Sequence, residues 1–112
     1  MAILVIDAGT SSVRAAIVGP DATVHHEVHA TTLPDSPMPG LVEFDAQAYA
    51  DVALASARDV LTTYNGEFGP IRGVGISNQR ASTVLWDRAT GTPVAPALGW
   101  QDLRTVGDCL VL

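Results

Sequence analysis

The sequence predicts an α/β domain built on a mixed β-sheet, and three observations carry that reading. Three apolar, strand-like segments open the chain; one long amphipathic helical stretch follows; a glycine-containing apolar strand comes after it. Ala2 to Asp7 and Ser12 to Val18 read as a hairpin pair around Ala8-Gly9-Thr10-Ser11. Gly19-Pro20-Asp21 supplies the next turn, and Thr23 to Thr32 reads as the third strand. Thr31 to Gly40 carries three prolines and is expected to be loop, with Leu41-Val42-Glu43-Phe44 after it as a short edge strand or an ordered lid.

Asp45 has the chemistry of a helix N-cap. From Ala46 to about Tyr64, the residues Tyr49, Val52, Ala53, Ser56, Val60 and Tyr64 share one helical face, while Gln47, Asp51, Arg58 and Thr62 lie opposite. Asn65-Gly66 gives a stop signal, and Gly69-Pro70 leads into a strand over Ile71 to Ser77, whose glycines suggest close packing under a helix. Ser82 to Trp86 and Val94 to Trp100 flank Asp87-Arg88-Ala89-Thr90-Gly91-Thr92-Pro93 as the arms of a hairpin, and Thr105 to Leu112 reads as a last helix. Strands in both directions around one helix suggest the ribonuclease H-like, actin-like type of α/β fold, here the first part of its N-terminal lobe. The apolar ending Cys109-Leu110-Val111-Leu112 carries no cap, so residues 1–112 are expected to be a truncated domain of a longer protein.

Composition narrows the function classes. The chain has 112 residues, 47% of them hydrophobic, which suits one modest globular core. With six Arg, no Lys and a net charge of −6, it lacks the basic surface that nucleic acids and anionic membranes demand. A small-molecule partner is expected instead. A single Cys, and the lack of any basic segment leading into a long apolar run, point to a cytoplasmic protein.

The chemistry concentrates at Ile6-Asp7-Ala8-Gly9-Thr10-Ser11-Ser12-Val13-Arg14. Apolar residues before Asp7 read as a strand buried on both faces, where a carboxylate needs a cation or donors. Gly9 permits positive φ and close approach of a ligand, and Thr10, Ser11 and Ser12 offer hydroxyls and successive N–H groups suited to an anion. A hydrated Mg²⁺ carrying phosphates satisfies both halves, since that ion keeps its waters and takes one or two carboxylates plus phosphate oxygens. The bland alternative is a tight hairpin with a solvated Asp.

The strand ending at Ser77 runs into Asn78-Gln79-Arg80. Ligands collect beyond the carboxyl ends of strands in open α/β sheets. If this strand lies parallel to the first, Gln79 and Arg80 share an edge with the phosphate turn. The forked donors of Arg80 and the donor and acceptor of Gln79, with the flat face of Trp100, suit a polyol.

With these blocks in place, the sequence resembles the FGGY family of carbohydrate kinases, an actin-like ATPase family, and its glycerol kinase branch in particular. The likeness rests on Ile6 to Arg14, Gly40-Leu41-Val42-Glu43-Phe44-Asp45, Gly75-Ile76-Ser77-Asn78-Gln79-Arg80, and Val84 to Gly91 leading to Trp100-Gln101-Asp102. It implies ATP-dependent phosphoryl transfer to a hydroxyl of a sugar or polyol, in a protein expected to be a homo-oligomer at full length. By position it implies that Asp7 holds Mg²⁺, that Gly9, Thr10, Ser11, Ser12 and Arg14 contact the nucleotide phosphates, and that Gln79, Arg80, Ala81 and Trp100 line the acceptor pocket. The catalytic base of the family, an Asp far downstream, is not in this chain, which alone is expected to be inactive. Ala81 stands where glycerol kinases carry Glu, which favours a different polyol or a sugar, ketopentoses included. A non-catalytic nucleotide- or sugar-binding remnant of the family is the alternative, and a half-domain that dimerises over its open edge is a third.

Other features are expected to be structural. His25, Glu27 and His29 alternate onto one strand face, but at ~3.3 Å per residue the two histidines sit roughly 13 Å apart, too far to share a metal. Cys109 and Trp86 are expected in the core. Asp102 could orient Arg80 or cap the last helix, the cap being favoured.

Overall fold

The computed structural model describes residues 1–112. Eight elements follow one another: β1 (Ala2–Ala8), β2 (Ser12–Val18), β3 (Val24–Thr31), β4 (Glu43–Phe44), α1 (Ala46–Thr63), β5 (Ile71–Asn78), β6 (Ala97–Leu98) and α2 (Val106–Cys109). The main sheet has the order β3-β2-β1-β5, antiparallel between β1, β2 and β3 and parallel between β1 and β5. This is the mixed α/β sheet the sequence predicts. Because β1 and β5 run the same way, the ends of both strands, Ala8 and Asn78, stand side by side in register.

One face of the sheet builds the core. Leu4, Ile6, Val13, Ala15 and Ile17 project from β1 and β2 onto Ala57 and Val60 of α1, and Ile17, Val13 and Val60 are fully buried. At about 25 cal/mol per Å², these side chains are the main stabilising burial in the chain. Helix α1 forms because its start is capped, Asp45 accepting the Ala48 N–H at 2.9 Å, and because its alanine-rich sequence carries no β-branched run. Its inward residues are those the helical period selects, joined by Ala57, which that face did not include.

The opposite face is open in this chain. Ile3 is 40% exposed and Asp7 is exposed, so β1 is buried on one side only, contrary to the expectation of a doubly buried strand. Helix α1 packs chiefly on β2 and β3 and to a lesser extent on β1. Nothing comes within 4 Å of a Cβ built on Gly73, so the glycines of β5 pack under no helix here.

Strand β3 departs from strict alternation. Ala15 pairs with Val28 and Ile17 with His25, which leaves His26 and Glu27 opposite Ala16 alone, and His26 takes the left-handed φ of 48°. This bulge turns His26 toward Glu67, 2.5 Å away, and lays His25 against Phe68. The three polar residues therefore do not share a face, and no group of three His, Cys, Asp or Glu side chains gathers anywhere to hold a metal.

A second, two-stranded sheet pairs β4 with β6. Leu41 to Phe44 thus contributes a short strand, as one of its two readings expects. The hairpin expected over Ser82–Trp86 and Val94–Trp100 is reduced to isolated bridges, Trp86 with Pro93 and Thr83 with Leu98. Pro93 and Pro96 lack the N–H a ladder needs, and Asp87 holds the loop instead by accepting from Ala89 and Thr90. Those bonds, the Thr90 N–H first, keep the Asp87 carboxyl below the usual range. Trp86 is 61% exposed and Cys109 is exposed, so neither joins the core. The last helix is a single turn, Val106–Cys109, with no side-chain cap.

Candidate functional site

The turn between β1 and β2 is closed by the Gly9 N–H donating to the Ser12 carbonyl at 2.9 Å, which leaves Thr10 and Ser11 at its tip. The backbone N–H groups of Thr10 and Ser11 find no protein acceptor. Gly9 does not adopt positive φ; a side chain there would crowd the Ser12 carbonyl oxygen, 3.1 Å from where a Cβ would stand. Two unpaired N–H groups with the hydroxyls of Thr10, Ser11 and Ser12 form a donor set for an anion.

Asp7 and Arg14 face each other across the β1–β2 ladder, with Ser77 flanking Asp7 on the other side from β5. The Asp7 carboxylate takes no hydrogen bond or ion pair from the chain. One free carboxylate beside a turn of unpaired donors has the chemistry to hold a hydrated Mg²⁺ shared with phosphates, and does not fit an all-protein metal cage.

A residue that the periodicity places only on the core face supports this turn. The Tyr49 hydroxyl on α1 donates to the Gly9 carbonyl at 2.6 Å. Burial, then the negative charge of Asp7, raises the phenol above its usual pKa, so Tyr49 stays a neutral donor. Its polar tip on a half-buried ring is the signal that points to such a partner.

The Gln79 N–H, one residue past β5, donates to the Ala8 carbonyl at 2.9 Å. That bond fastens the end of β5 to the start of the β1–β2 turn. Arg80 follows, exposed, and Ala81 takes a left-handed φ of 58°, a conformation costing an L-residue about 1 kcal/mol. A cavity of about 570 Å³ is lined by Thr10, Gln79, Arg80, Ala81 and Trp100. Residues from two separated motifs and the end of the small sheet thus meet in one place, and Trp100 donates its indole N–H to Thr10 Oγ1 at 3.0 Å.

Trp100 is held there by a clamp that the sequence does not reveal. Gly99 donates to the Val42 carbonyl at 2.9 Å, and a Cβ on it would lie 2.9 Å from Val42 Cγ1. Asp102 accepts the Val42 N–H at 2.7 Å and three donors of Arg104, its backbone N–H, Nε and Nη2; the guanidinium also donates to Glu43. Asp102 therefore neither caps α2 nor meets Arg80. Arg104 foremost, against an opposing desolvation and with help from the Val42 N–H, holds the Asp102 carboxyl well below the ordinary carboxylate range.

Residues 2–112 match the FGGY family of carbohydrate kinases, N-terminal domain. The chain is 43% identical over 108 residues to a glycerol kinase of Rhodopirellula baltica, covering 96% of this chain and 20% of that protein. It is 43% identical over 107 residues to a glycerol kinase of Coxiella burnetii, covering 96% and 21%. The chain thus spans about a fifth of the length of the curated relatives it matches. Among solved structures it resembles a xylulose kinase from Rhodospirillum rubrum, with a TM-score of 0.87, 25% identity, and coverage of 99% of this chain and 23% of that one. It also resembles a Plasmodium falciparum glycerol kinase solved with ADP, with a TM-score of 0.85, 26% identity, and coverage of 98% and 22%. A family match across residues 2–112 and relatives 43% identical over nearly the whole chain show that it belongs to the FGGY family of carbohydrate kinases.

Proposed function

We propose that this chain is the N-terminal part of an ATP-dependent kinase that transfers the γ-phosphoryl group of ATP to a hydroxyl of a sugar or polyol. The observation that carries the proposal is the cavity in which Thr10 of the turn meets Gln79, Arg80, Ala81 and Trp100. In this reading Gly9, Thr10, Ser11, Ser12 and Arg14 receive the nucleotide phosphates, through N–H groups, hydroxyls and one guanidinium. Asp7 holds Mg²⁺, which supplies charge neutralisation on the phosphate oxygens. Gln79 and Arg80 hydrogen-bond the acceptor's hydroxyls, and Trp100 lies against its carbon chain.

Phosphoryl transfer breaks the bond from the γ-phosphorus to the oxygen that stays with ADP and forms one to the acceptor oxygen, whose proton passes to a base. Most of the catalysis is positioning and charge neutralisation, the tasks these residues can perform. No carboxylate lines the cavity, so the proposal assigns this chain binding and orientation and leaves the base to another part of the protein. With a side chain at Ala81 that offers no acceptor atom, this reading takes a substrate other than glycerol, a larger polyol or a ketopentose.

The test is ADP release by the full-length protein across a panel of polyols, aldoses and ketoses, with Asp7→Asn as the control. Turnover with one such acceptor, falling roughly 10²- to 10³-fold in Asp7→Asn without loss of fold, supports the proposal. A folded full-length protein that phosphorylates none of them overturns it.

A further inference from the structure

We propose that Trp100 is a positioning residue for phosphoryl transfer, acting through Thr10. An indole N–H only donates, so in the 3.0 Å bond between Trp100 Nε1 and Thr10 Oγ1 the threonine oxygen is the acceptor. A threonine hydroxyl has one proton. With its oxygen engaged by Trp100, that proton points away from the indole and is left for an acceptor in the cavity both residues line.

In a pocket that must hold a phosphoryl group, the hydroxyl is thereby set as a donor to a phosphoryl oxygen rather than free to rotate. Donors fixed before the reaction stabilise developing charge without reorganising, which is where such groups are most effective. The pairing also links two subsites. Trp100 stands at the acceptor side and Thr10 at the phosphate side, so an acceptor resting on the indole steadies the hydroxyl that the phosphates use. Any such coupling is reciprocal in binding free energy.

The surroundings of Trp100 support a fixed rather than a mobile ring. Gly99 is buried against Val42, and Asp102, whose side chain is 5% exposed, holds both Val42 and Arg104. Trp100 as a residue is 55% exposed, so packing alone does not explain its placement.

This inference rests on the kinase reading above, and its test separates the two. In the full-length protein, Trp100→Phe keeps a flat apolar face and removes the N–H. The expected result is a kcat lower by about tenfold, the loss of one oriented hydrogen bond, with the acceptor KM within about twofold. Thr10→Val should lower kcat to a similar extent, Thr10→Ser should restore it to within about threefold, and the Trp100→Phe, Thr10→Val pair should lose no more than the worse single variant. Trp100→Phe that raises only the acceptor KM, or effects that add fully in the pair, overturn the positioning role while leaving the kinase reading intact. Should Trp100→Phe not fold, the Thr10 variants decide alone, Val and Ser behaving alike being the overturning result. A wild-type protein with no phosphorylating activity removes both proposals together.

Discussion

Trp100 and Thr10, ninety residues apart in sequence, are joined by a single hydrogen bond of 3.0 Å that closes the candidate pocket between the small sheet and the β1–β2 turn. The contact depends on two tethers. Gln79 is bonded to Ala8, and the loop around Trp100 is bonded to Val42 through Gly99 and Asp102.

Asp102 predicts acid sensitivity of the Trp100 loop. Its carboxyl is depressed in the folded protein, so the stabilisation it gives is fully present above the ordinary Asp value of about 4 and is lost as pH falls through its lower, folded value. Fluorescence of the tryptophans followed from pH 7 to pH 2 should show the loop loosening only below about pH 4. Asp102→Asn, which keeps the shape and loses the charge, should remove this acid transition and lower the melting temperature at pH 7.

Tyr49→Phe tests the support beneath the turn. The substitution removes the donor to the Gly9 carbonyl and should cost about 1 kcal/mol in urea unfolding. In the full-length protein the KM for ATP should rise several-fold. Since burial and the Asp7 charge keep the phenol protonated to above its usual pKa, no pH dependence from Tyr49 is expected below pH ~10.

Ile17→Ala should be the damaging core change. Ile17 is fully buried between the sheet and α1, and such truncations cost about 2 to 5 kcal/mol through lost transfer energy and a residual cavity. Chemical denaturation of the wild type and the variant measures it. The marginal stability of a small core, with 14 of 112 residues buried, makes partial unfolding at 37 °C the expected outcome.

Ala81→Glu should shift acceptor preference. The residue already occupies the left-handed region, so a longer side chain adds no new backbone strain, and it places a carboxylate beside Arg80 in the cavity. Hydrogen bonds to a charged group predict a gain of roughly tenfold in kcat/KM for glycerol relative to a ketopentose. Steady-state kinetics with both acceptors in the full-length protein check the ratio.

What the sequence determined by itself was the local structure and the chemical inventory. The cap at Asp45, the helical face through Tyr49 and Val60, the strands around Gly9 to Ser11, and the strand end at Gln79 are set by periodicity, turn residues and capping, which act over a few residues. The family was legible for the same reason, since its blocks are contiguous. Tertiary structure alone decided which distant groups meet. Trp100 reaches Thr10, Tyr49 reaches Gly9, and Asp102 clamps Val42 with Arg104 instead of capping a helix. It also decided that β1 has one open face and that a bulge at His26 breaks the alternation of β3. These outcomes turn on pairing register and on which element covers which face, and a chain's local preferences carry no record of either.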